Sequence, residues 1–114
     1  MFNSWEEIKL DISNLNYNLL NQREINLAKR LSRIIDELSN NDTISEYIPN
    51  VKFLVCGMTD ISWDIGEIVI KIDFFDTCYG LYTYGMNPYI LINELSRGYR
   101  KHIKTIEEII KLIE

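Results

Sequence analysis

The chain has 114 residues and a mass of 13.5 kDa, with 46% hydrophobic, 11% aromatic and 25% charged side chains and a formal net charge of −5. With only two prolines and two cysteines, it is neither a disordered segment, nor a collagen-like repeat, nor a disulfide-scaffold miniprotein. The length suits one domain over residues 1–114 and is short for the dinucleotide-binding and barrel folds, while the acid excess argues against direct binding of nucleic acid, which relies on Lys and Arg to neutralise phosphates.

Ser4 followed by Glu7 fits a capping box, and Trp5, Ile8, Ile12, Leu15 and Leu19 then recur at helical spacing, which predicts a first helix over 5–20. The apolar stripe slips in phase near Asn21 and resumes at Leu27, Leu31, Ile34 and Leu38, so a second helix is expected over 22–39 after a kink or break. Asn40-Asn41-Asp42 stops it, and Thr43-x-x-Glu46 is a candidate cap for one further turn before Pro49. The period then changes to two. Val51, Phe53 and Val55 alternate with Lys52, Leu54 and Cys56 in a strand that ends at Gly57. A second strand runs over 67–75, with Ile68, Ile70, Ile72 and Phe74 on one side and Val69, Lys71, Asp73 and Phe75 on the other. A tight turn at Asp76-Thr77 leads into a third strand over 78–84. Asn87-Pro88 reads as the cap and first residue of a last helix that carries Ile92, Leu95, Tyr99, Ile106, Ile109 and Ile113 to the end of the chain, with Gly98 inside it. The expected class is α+β: two N-terminal helices, a three-stranded, mainly antiparallel sheet, and a long C-terminal helix, with the helices on one face.

The first residues hold no basic segment followed by an apolar run, and no stretch approaches the roughly 18 apolar residues of a membrane helix, so a cytoplasmic protein without membrane contact is expected. Cys56 and Cys78 lack any Cys-x-x-Cys spacing and read as thiols of a reducing compartment. His102 is the sole histidine, the five glycines are dispersed, and Asp60-x-x-x-Asp64 lacks the other oxygen ligands of a calcium loop; the sequence therefore points to no metal and no cofactor. Glu67, Asp73 and Asp76 are the available carboxylates for paired acid–base work, but neighbouring strand positions face opposite ways.

Arg97-Gly-Tyr-Arg-Lys-His102 has an Arg four residues ahead of a His on a predicted helix. These six residues resemble the motif of the HEPN ribonucleases, an all-helical, dimeric family. The resemblance implies His102 as general acid or base and Arg97 as phosphate holder. A small ribonuclease is thus the enzymatic alternative, set against three predicted strands that an all-helical family lacks.

The stronger signal is a surface. A two-residue turn at 76–77 pairs Phe75 with Cys78, Asp73 with Gly80, Lys71 with Tyr82 and Val69 with Tyr84. One face then holds Ile70, Ile72, Phe74, Tyr79 and Leu81 under the helices, and the other holds Val69, Lys71, Asp73, Phe75, Tyr82 and Tyr84. Residues 56–90 also contain five acids, Asp60, Asp64, Glu67, Asp73 and Asp76, against one base, Lys71. Acids steer basic partners, and tyrosine suits interfaces because it joins large apolar area to a hydrogen-bonding end. The expected function is a non-enzymatic protein-binding module. It would be a small acidic inhibitor of the toxin-immunity or phage or plasmid anti-defence type, with a basic protein partner. Asp60, Asp64, Lys71, Asp73, Phe75, Asp76, Tyr82 and Tyr84 are its expected contact residues. A homo-oligomeric structural subunit that covers the same face with its own copy is the further alternative.

Overall fold

A computed structural model describes residues 2–53, 59–74, 78–86 and 91–114. Ser4 Oγ accepts from the Glu7 amide and opens α1 (Trp5–Ser13), whose buried stripe is Trp5, Ile8 and Ile12. The first helix is shorter than its periodicity suggests: it ends at Ser13, and a 3₁₀ turn at Tyr17–Leu19 follows, with Leu19 80% exposed. The break expected near Asn21 is a true helix start. Asn21 and Glu24 form a reciprocal capping box on α2 (Gln22–Asn40), which buries Leu27, Ala28, Leu31, Ile34, Ile35 and Leu38. The extra turn lies at Ile44–Glu46, but its cap is Asn41 rather than Thr43: the Asn41 side-chain oxygen accepts from the amides of Thr43 and Ile44.

Five strands follow among the described residues, not three: β1 (Asn50–Phe53), β2 (Thr59–Ile65), β3 (Ile68–Phe74), β4 (Tyr79–Gly85) and β5 (Asn93–Ser96). They form an antiparallel meander in the order β1-β2-β3-β4-β5. The additional β2 arises from Ile61, Trp63 and Ile65 alternating with polar residues. Gly66 then closes a two-residue turn to β3 in the left-handed conformation (φ +61°) that glycine adopts without a Cβ clash. The β3–β4 register is the expected one, Asp73 with Gly80, Lys71 with Tyr82 and Val69 with Tyr84. Phe75, the Asp76-Thr77 turn, residues 54–57 of the first predicted strand and the Asn87-Pro88 cap lie outside the described residues.

β5 occupies part of what the stripe predicts as the last helix. Residues 93–96 pair with β4, Gly98 sits between strand and helix, and α3 begins only at Arg100 and runs to Ile113. In a helix Ile92 and Leu95 would share a face; here Ile92 packs partly against the core, Leu95 falls on the opposite, open face, and tertiary pairing with β4 decides for the strand.

The three helices cover one face of the sheet. Ile61, Trp63, Ile70, Ile72, Phe74 and Leu81 lie at 2% exposure or less against Ile8, Leu31, Ile34, Ile106 and Ile110 from the helices. Polar links fasten the layers. Trp5 Nε1 donates to Ser45 O (2.8 Å), Trp63 Nε1 donates to Tyr47 O (3.0 Å), and Arg30 Nε donates to the Tyr79 hydroxyl (2.8 Å). The Arg30 guanidinium also lies 4.4 Å from the Tyr79 ring centroid.

Candidate functional site

Because the helices sit on one side, every second residue of the sheet faces away from them. Lys52 from β1, Asp60, Ser62 and Asp64 from β2, Val69, Lys71 and Asp73 from β3, Gly80, Tyr82 and Tyr84 from β4, and Asn93 and Leu95 from β5 share this open face by register. All six described contact residues expected from the sequence, Asp60, Asp64, Lys71, Asp73, Tyr82 and Tyr84, fall on it. Asp60 and Asp64 join it through β2, the unforeseen strand. Phe75 and Asp76 lie outside the described residues.

The centre of the face is polar and closed. Asp60 and Asp73 are direct cross-strand partners, with side chains only 13% and 10% exposed. Lys71 Nζ lies 3.7 Å from Asp60 Oδ2 and 3.6 Å from Asp73 Oδ1. Burial would lower the Lys71 ammonium, but the charges of Asp60 and Asp73 outweigh it and hold it above its ordinary value. Burial pushes the Asp73 carboxyl up to about 7; the facing Asp60 adds to the rise, since it would accept a hydrogen bond from the protonated form and repels the ionised one, and Lys71 opposes it. A Cβ built on Gly80 would meet the Tyr82 hydroxyl oxygen at 2.5 Å, so the Tyr82 ring lies over Gly80, the residue paired with Asp73. Its hydroxyl is pushed up in pKa, first by burial and then by the Asp73 charge.

Towards β5 the face turns apolar. Tyr84 is 54% exposed and Leu95 60%, with Leu91 and Met86 also exposed nearby in the chain. An open depression of about 340 Å³ is lined by Tyr82, Thr83, Tyr84, Leu91, Ile92 and Asn93. Leu95, expected in a buried helical stripe, instead stands opposite Gly80 on the open face. The alternation of Asn93-Glu94-Leu95-Ser96, with Gly98 two residues beyond it, is the signal for it.

The face is also less acidic than the sequence suggests, because β1 brings Lys52 opposite Asp60. The helical layer carries a basic stripe, Arg23, Lys29, Arg30 and Arg33, on the first three turns of α2.

Arg97 and His102 are not brought together on an exposed helix. Arg97 is exposed ahead of α3, whereas His102 is fully buried and its Nε2 donates to Tyr79 O at 2.9 Å. The α+β fold also differs from the all-helical one that the Arg-x4-His resemblance implies. Among the described residues no three His, Cys, Asp or Glu side chains are grouped to hold a metal, and no helix is long and apolar enough to cross a membrane. Comparison of the chain with family models, curated proteins and solved structures returned no match.

Proposed function

We propose that the chain is a protein-binding module that docks through the open face of its sheet, and that it acts as a small stoichiometric inhibitor of the immunity or anti-defence type. One observation carries the reading. Among the described residues the sheet has five strands and helices on one side only, so Tyr82, Tyr84, Leu91 and Leu95 make an aromatic and aliphatic surface beside Asp60, Lys71 and Asp73. Large exposed aromatic and aliphatic groups rimmed by polar ones mark protein interaction sites. The partner that suits this surface has an apolar contact for Tyr84 and Leu95 and a cationic group for the carboxyls.

The test has two parts. Sedimentation of the purified chain across a concentration series first establishes whether a second copy occupies the face; a tight dimer disrupted by Tyr84→Ala would replace the inhibitor reading with self-assembly. Capture from the source cells follows, with the captured protein purified and titrated against wild type and Tyr84→Ala. The reading expects a one-to-one complex with at least tenfold weaker binding by the variant at unchanged melting temperature. Equal binding by both would overturn it.

A further inference from the structure

Docking alone leaves one feature of the open face unexplained. Asp60 and Asp73 confront each other across β2 and β3, a placement that like charges disfavour. Their Oδ1 atoms are shut off from solvent and have no hydrogen-bond partner. Lys71 supplies one ammonium at 3.6–3.7 Å to the pair, beyond the length of a good hydrogen bond. Two ionised carboxylates beside one ammonium would leave one negative charge and two bare oxygens in a largely desolvated place, which is costly. A single proton held between the carboxyls removes both problems, since it cancels the charge and lets one oxygen donate to the other.

Resting on the docking reading above, we propose that Asp60 and Asp73 share one proton in the free protein, and that a cationic side chain of the partner, an arginine or lysine, takes that proton's place when the face is docked. Charge complementarity selects this occupant. Without the proton the Asp60–Lys71–Asp73 group carries one net negative charge, which an apolar or acidic surface would leave uncompensated in the interface. The Tyr82 ring beside Asp73 and the exposed Tyr84 ring offer faces on which a guanidinium stacks while its fork meets carboxylate oxygens.

Among the described residues of this face, Lys52 of β1 stands opposite Asp60 and is exposed, Asp64 of β2 is exposed, Tyr82 and Tyr84 belong to β4, and β5 contributes the uncharged Asn93 and Leu95. Cys78, half-buried ahead of β4, is the other titratable group near Tyr82. The elevation of Asp73 to about 7 agrees with a retained proton and places its release near neutrality.

The proton is observed directly in the intact protein by carbon-13 NMR of the aspartate carboxyls between pH 3 and pH 9. The proposal expects the Asp73 signal to step near pH 7, and Asp60→Asn should move that step towards the ordinary carboxylate range. A step of the Asp73 signal below pH 5 would overturn the shared proton without touching the docking reading. A hexa-arginine peptide then serves as the cationic probe, titrated at pH 6 and pH 7 with a hexaglutamate control. Because binding displaces one proton, affinity falls as pH drops, by up to about tenfold per pH unit below the pair's titration point, so the peptide should bind about fivefold more tightly at pH 7 than at pH 6. The Asp60→Asn, Asp73→Asn double variant should lose that dependence. Binding that is absent, or that is equal at both pH values, would overturn the replacement step. A partner whose affinity drops on Tyr84→Ala yet ignores pH would retain docking and remove this proposal alone.

Discussion

The two faces of the one sheet differ far more than their sequences do. Along β3, Ile70, Ile72 and Phe74 are fully buried beneath three helices, whereas Val69 and Lys71, one residue away in each case, remain partly open to solvent. The first set holds the fold together. Among the described residues no helix stands over the second set, which is the face the docking proposal assigns to a partner. Asp73 belongs to the second face by register but to the first by burial, and this mixed position is why its carboxyl departs so far from ordinary behaviour.

The largest effect expected from this contrast is in stability. Ile72→Ala should cost about 3–4 kcal/mol in denaturant unfolding, the usual cost of a cavity in a closed core. Tyr84→Ala should stay within about 0.5 kcal/mol of wild type, as exposed positions do. Similar losses from both would erase the distinction between a structural and a binding face.

The second comparison sets His102 against Arg97. His102→Ala leaves the Tyr79 carbonyl without its donor and opens a void between α3 and β4, which should cost about 2–3 kcal/mol. Arg97→Ala on the exposed bend should leave the melting temperature in place. RNA cleavage by wild type that disappeared in both variants, with His102→Gln still folded, would instead revive the Arg-x4-His reading.

On the open face the effect moves from folding to binding. Truncating Tyr84 should weaken the complex by about 2 kcal/mol, in the range of interface hot spots, and calorimetric titration of the isolated partner measures it. Leu95→Ala should have a smaller effect of the same kind.

The last contrast concerns pH. The Asp73 carboxyl is raised in the folded protein from 3.8 to about 7, so between those values the folded state binds more protons than the unfolded chain. Its contribution therefore favours the folded state at low pH and is lost as pH climbs through this window. Glu94 and Glu107, held low chiefly by hydrogen bonds from Lys101 and Lys111, act in the opposite sense, below their ordinary value of 4.5 and so below the range from pH 5 to pH 8. Urea unfolding at pH 5 and pH 8 should show wild type losing stability on the alkaline side and Asp73→Asn losing less. Parallel profiles would mean that Asp73 is ionised throughout.

Much of this was legible in the chain. Ser4 and Asn21 mark helix starts because a side-chain oxygen at that position satisfies an otherwise orphaned amide, a local effect. The β3–β4 register and the division of Ile70, Ile72, Phe74 and Leu81 from Lys71 and Tyr82 follow from the two-residue period of a strand. Gly66-Glu67, flanked by alternating apolar residues, was an equally local sign of the β2–β3 turn.

Local chemistry determined where helices begin, which residues alternate and which tyrosines share a side with which acids, since these depend on neighbours a few residues away. Only the tertiary structure decided that residues 93–96 are a strand, that Leu95 is exposed, that His102 is sealed in the core, and that Asp60 confronts Asp73. Those outcomes depend on which segments meet in space. A short run such as Asn93-Glu94-Leu95-Ser96 has too few residues for its own propensity to outweigh the backbone hydrogen bonds offered by β4.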